Sequence, residues 1–152
     1  MDYPKYSNRY KSTIVDYHNN PDKYKDFYIY ELLWAIQLNL IHWDDIPPGF
    51  EETYSLPHRR DYGIDLISLT YDKTGQVKLY GGSSLITWDK ITNFTGYSQD
   101  ILNISNMTIA TTTVAKIDPM VSRLFEGNPD RCILRDDFDN MMGNVIENYN
   151  PV

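Results

Sequence analysis

The sequence predicts a mixed α/β (α+β) domain, and three observations carry that expectation. Ile29, Leu32, Leu33, Ile36 and Leu40 follow the i, i+3, i+4, i+7, i+11 spacing of one helix face. Residues 63–81 read as two apolar strands around a turn. Residues 107–115 are uncharged and β-branched, the composition of a strand buried inside a sheet. With 152 residues, 41% hydrophobic and 23% charged, the chain is long enough to bury a core and short enough for a single domain. Disorder as the main state is excluded by that composition.

Taken in order, residues 1–22 are polar and rich in Tyr and Asn, and read as an N-terminal arm or a short lead-in helix. They close on the turn signal Asn19-Asn20-Pro21-Asp22. Residues 23–152 form the domain proper. A helix over 25–41 stops before Pro47-Pro48-Gly49, where the chain loses an amide donor and gains a turn former. The segment up to Arg60 reads as a long loop with room for one short strand. Within 63–81 the turn falls at Asp72-Lys73-Thr74-Gly75, leaving Ile64, Leu66, Ile67, Leu69, Val77, Leu79 and Tyr80 as the apolar content of a hairpin. From Leu85 through Trp88, Ile91, Phe94, Tyr97 and Ile101, apolar residues recur every three or four positions, which predicts a second amphipathic helix. After the strand at 107–115 come a short helix over 119–125 with Pro119 in its first turn, a strand at Arg131–Arg135 and a last helix over 138–149.

Composition also removes several functions. A single cysteine, Cys132, and histidines scattered at His18, His42 and His58 exclude an internal disulfide and a zinc cluster. No apolar run is long enough for a membrane span, and the polar start lacks a signal peptide's apolar segment, so an intracellular protein away from the membrane is expected. No GxxxxGK[ST] loop occurs, so ATP hydrolysis would belong to another domain. The 13 tyrosines suit either base stacking or a half-exposed amphipathic surface.

Chemistry concentrates in Asp61-Tyr62-Gly63-Ile64-Asp65-Leu66-Ile67 and, across the hairpin, Gln76-Val77-Lys78-Leu79-Tyr80. Strand side chains alternate, so Gln76 and Lys78 share one face while Val77 points into the core. Asp65 can hold a hard divalent cation, Gln76 can add a neutral oxygen ligand, and Lys78 can orient the attacking water or stabilise charge on the phosphorane. That set is suited to phosphodiester hydrolysis. Read singly, Asp61 and Asp65 are turn and capping residues beside Gly63, and Lys78 is an edge lysine.

Gly63-Ile64-Asp65, then Gln76-Val77-Lys78-Leu79-Tyr80, then a helix with Ile91 and Phe94, then Ala110-Thr111-Thr112-Thr113, resembles the PD-(D/E)xK nuclease superfamily, in particular its Mrr-like restriction endonuclease group with the Q-x-K variant. The resemblance covers about residues 27–117 and extends to nuclease-like domains of helicase-type proteins. It implies a restriction-endonuclease-like core in the order α-β-β-β-α-β, a mixed central sheet flanked by helices, with the C-terminal elements as additions. It also implies a metal-dependent DNA endonuclease domain using Mg²⁺ or Mn²⁺. Asp65, Gln76 and Lys78 would be its catalytic residues, with Glu31 of the preceding helix as a further metal-supporting carboxylate. DNA is the expected partner, gripped by His58, Arg59 and Arg60 with Lys73 and Lys90, alongside a fused or associated helicase or DNA-recognition domain. A homodimer stays open. The alternative is a nuclease-fold module without turnover that binds nucleic acid or protein within a larger DNA-processing protein.

Two expectations depend on geometry. With the turn at 72–75, Asp65 lies four residues beyond the position opposite Lys78, about 13 Å along a flat hairpin. Twist, a bulge or an earlier turn must close that gap. The neutral Gln76 should bind a cation weakly, and Gln76→Glu should tighten it. The 14 basic and 21 acidic residues give a net charge of −7, so DNA affinity must come from local positive charge.

Overall fold

A computed structural model describes residues 3–53 and 62–150. A five-stranded mixed sheet runs in the spatial order β1 (Ile41–His42), β2 (Leu66–Ile67), β3 (Lys73–Lys78), β5 (Asn106–Thr111), β7 (Arg131–Arg135). β1, β2 and β3 form an antiparallel meander, and β3, β5 and β7 are parallel. β4 (Leu85–Ile86) and β6 (Lys116–Ile117) make a separate parallel pair. The mixed sheet and the expected class agree.

Helices cover both faces because the strands are apolar on both. Leu66, Val77 and Ala110 pack against α1 (Tyr3–Asn19), α2 (Asp26–Leu38) and α6 (Phe138–Glu147). Ile41, Ile67 and Ile109 pack against α4 (Trp88–Gly96), the π-helical turn Tyr97–Ile101 and α5 (Pro119–Glu126). The chain alternation of the strands thus feeds two cores, one on each side of the sheet. Among the described residues, no helix is long and apolar enough to cross a membrane.

The expected helix at 25–41 forms over Asp26–Leu38 and ends where Asn39 turns left-handed at φ 56°, its amide donating to the Ala35 and Ile36 carbonyls. The expected strand at Arg131–Arg135 and the helices at 119–125 and 138–149 are present as β7, α5 and α6. Between α2 and β2, the expected loop carries β1, the short helix α3 (Phe50–Thr53) and a 3₁₀ turn at Trp43–Asp45.

Three elements differ. The first residues are not an arm: α1 is a full helix whose Tyr10, Ile14 and Tyr17 are buried against α2. Its helical period is carried by tyrosines, which read as polar in a plain hydrophobic count. Leu85 and Ile86 leave the second amphipathic helix and pair with Lys116 and Ile117, and the helix begins only after Thr87. The hairpin turn lies earlier than Asp72–Gly75. The Ser68 and Thr70 hydroxyls donate to Asp72 Oδ1, the Asp72 and Lys73 amides donate to Ser68 Oγ, and Tyr71 adopts φ 60°. That network closes the turn over 68–72. Gly75 is therefore inside β3, where a Cβ would sit 3.4 Å from the Leu66 Cβ, so its lack of a side chain lets two strands meet closely.

Candidate functional site

The earlier turn sets the register that brings the acid and the amide together. Leu66 pairs with Gly75 and Ile67 with Thr74, so Asp65 stands across from Gln76. The 13 Å offset of a flat hairpin with the later turn does not arise. Asp65 is a junction between three strands' backbones: its amide donates to Gly75 O at 3.0 Å, its carbonyl accepts from Trp43 N at 2.8 Å, and its Oδ2 accepts from Val77 N at 2.8 Å. The carboxylate thus replaces a backbone acceptor at the point where β2 gives way to the loop before it.

Gln76 is 4% exposed, and its Nε2 donates to the Gly63 carbonyl at 3.0 Å. Its Oε1 is buried and has no hydrogen-bond partner. A buried amide oxygen left without a partner costs about 1–3 kcal/mol, and a hard cation is one group that would satisfy it. The donor set of an acidic oxygen and an amide oxygen suits Mg²⁺ or Mn²⁺. Among the described residues, no three His, Cys, Asp or Glu side chains gather as a metal cluster.

Lys78 is half-buried at the C-terminal end of β3, two residues beyond Gln76 and therefore on the same face. Its Nζ lies 5.8 Å from the centroid of the Tyr80 ring, and Lys90 Nζ approaches the same ring at 5.1 Å while donating to Leu85 O at 2.7 Å. One aromatic face therefore supports two cations, holding both beside the end of β3. Tyr80 had been read only as apolar strand content. Thr111, the register partner of Lys78, donates its hydroxyl to the Lys78 carbonyl at 2.7 Å and ties the strand end down.

Glu31 is placed elsewhere. It is 7% exposed on α2, and its Oε1 meets His42 Nε2 at 2.9 Å. His42 pairs with Leu66, whose side chain belongs to the core under α1, α2 and α6, whereas Gln76 alternates to the face under α4. The sheet separates Glu31 from Gln76, which corrects its expected place among the metal ligands: α2 presents this carboxylate to a buried imidazole. Around that pair, Asp44 N donates to His42 Nδ1 at 3.2 Å, His42 N donates to Tyr10 Oη at 2.8 Å, and Tyr10 donates to Asp45, which also pairs with Arg9 at 2.9 Å. Burial alone would lower the His42 pKa, but the hydrogen bond and charge of Glu31, with Asp44 and Asp45, outweigh it and raise the pKa above 6.5.

Of the expected DNA-gripping residues, His58, Arg59 and Arg60 lie outside the described residues. Lys73 opens β3 and Lys78 closes it, so the two stand about 16 Å apart along the strand. Lys73 does not join the Lys78 and Lys90 pair, because the earlier turn moves it to the far end of the hairpin. No sequence signal marked His42 as the partner of Glu31, whereas Gly63 and Tyr80 stood inside the motifs without an assigned role. No family model, curated protein or solved structure matches this chain.

Proposed function

We propose that this chain is a metal-dependent DNA endonuclease domain with a restriction-endonuclease-like core of the PD-(D/E)xK kind. The observation that carries the reading is the placement of Asp65 across from Gln76, whose buried Oε1 lacks a partner, with Lys78 next on the same face. Support also comes from the order α2-β1-β2-β3-α4-β5, which follows the α-β-β-β-α-β order of that core, with α1, β7 and α6 as additions. Asp65 and Gln76 would hold the Mg²⁺ or Mn²⁺, which supplies charge neutralisation at a phosphodiester and a more acidic bound water. Lys78 keeps a positive charge where a phosphate oxygen gains negative charge as water adds to phosphorus and the leaving oxygen departs. Tyr80 and Lys90 hold that ammonium at the strand end, and Lys90 adds a second cation for the DNA backbone.

The test is cleavage of supercoiled plasmid. The expected result is nicking with Mg²⁺ or Mn²⁺ that stops in excess EDTA; nicking at an unchanged rate in EDTA would exclude the mechanism. Binding should depend on salt, with log affinity falling against log salt at a slope of about −3 to −4 for duplex DNA. Lys90→Ala should flatten that slope by about one unit. An unchanged slope by fluorescence anisotropy would remove Lys90 from the DNA contact.

One observation favours the module without turnover: Asp65 Oδ2 already accepts from Val77 N, so the carboxylate has a structural task. Salt-sensitive DNA binding without metal-dependent nicking would select that reading. In either case a fused or associated helicase or DNA-recognition domain would supply the ATP-driven or sequence-reading step.

A further inference from the structure

The geometry points to the Gly63 carbonyl as the positioning group that makes residue 76 an obligatorily neutral donor. The inference rests on the nuclease reading for its functional meaning and on the Gly63–Gln76 contact for its chemistry. A side-chain amide has one donor end and one acceptor end. The Gly63 carbonyl can only accept, and it meets Gln76 Nε2 at 3.0 Å, so the amide oxygen is turned away from it and left without a partner in a buried position. The reverse orientation would set two acceptors against each other at that distance. Gly63 therefore decides which atom of residue 76 faces the site.

Gly63 can reach this place because it has no side chain. Its φ is +79°, and a Cβ would lie 3.1 Å from Phe94 N and 3.3 Å from Gln76 Nε2. The preceding Tyr62 is also left-handed, at φ 49°, and its ring stacks on Tyr97 at 3.8 Å and 6°. Two successive left-handed residues are costly for an ordinary side chain, and the ring stack and the glycine hold the turn that aims the carbonyl.

The consequence reverses the expectation that Gln76→Glu tightens cation binding. An ionised Glu at this position would place a carboxylate oxygen against the Gly63 carbonyl inside a buried site. It would mimic glutamine only when protonated, with its O–H donating to Gly63 and its C=O facing outward. Such a Glu has a raised pKa.

The experiment uses the full chain with wild type, Gln76→Glu and, as an apolar control, Gln76→Leu. Without metal, the melting temperature of each is measured at about pH 5.5 and about pH 8. A raised carboxyl pKa means that the stability of the protonated form is lost as pH rises through the folded value. The expected result is a Gln76→Glu depression larger at the higher pH by about 4 °C or more, with the Gln76→Leu depression the same at both. An equal or smaller depression for Gln76→Glu at the higher pH overturns the inference. In Mn²⁺ titrations followed by electron paramagnetic resonance, the affinity of Gln76→Glu relative to wild type should fall about tenfold over the same rise in pH. A relative affinity that increases with pH, as an ordinary carboxylate ligand gives, also overturns it. If wild type binds no Mn²⁺, the metal reading fails by itself, and the melting comparison alone decides whether Gly63 dictates a neutral residue 76.

Discussion

Asp65→Asn should abolish metal-dependent nicking while leaving the protein folded. The rate should fall by about 10³-fold or more, equivalent to about 4 kcal/mol of barrier. The reason lies in the two tasks of this side chain. Its Oδ2 accepts from Val77 N at 2.8 Å, and an asparagine carbonyl can make the same bond. The negative charge that would hold a divalent cation beside Gln76 is lost. Asp65→Ala removes both tasks, leaves the Val77 amide without its acceptor and should cost about 1–3 kcal/mol of stability as well. Lys78→Ala should match Asp65→Asn in activity with little change in melting, because the Lys78 side chain is only half-buried at the end of β3. Nicking by Asp65→Asn at the wild-type rate would exclude Asp65 as a ligand and leave only its structural task.

The largest effect on stability is expected at Glu31. Glu31→Ala leaves His42 buried, with Nε2 deprived of its partner at 2.9 Å, and should cost about 3–5 kcal/mol. For a chain of this size that lowers the melting temperature by about 6–20 °C. The pH dependence has a defined sign. His42 has a folded pKa raised above 6.5, so the stabilisation from its charged form is complete below that value and is lost as pH rises through the folded pKa. The melting gap between wild type and Glu31→Gln, scanned from about pH 6 to about pH 9, should therefore narrow. A gap that widens with pH would overturn the assignment of a charged His42 to the pair. Reduced Mn²⁺ affinity in Glu31→Gln with unchanged melting would return Glu31 to the metal set.

The sequence by itself determined the elements whose information is local. The apolar stripe of α2, the uncharged run of β5 and the proline at the start of α5 each specify one segment through its own periodicity or backbone chemistry. The alternation that puts Gln76 and Lys78 on one face and Val77 on the other is likewise a property of a single strand. The tertiary structure decided what depends on pairing between segments. Asp65 meets Gln76 because the hydroxyls of Ser68 and Thr70 gather at Asp72 and close the turn early, whereas Asp72 and Gly75 alone read equally well as turn residues. α1 became core because its tyrosines found α2 and α6 to bury against. Glu31 was diverted to His42 because the sheet stands between α2 and Gln76, and a carboxylate inside a protein takes the nearest cation. Gly63 orients Gln76 through a backbone carbonyl, a group that every residue carries and that no residue type advertises, so its role exists only once the chain has folded around it.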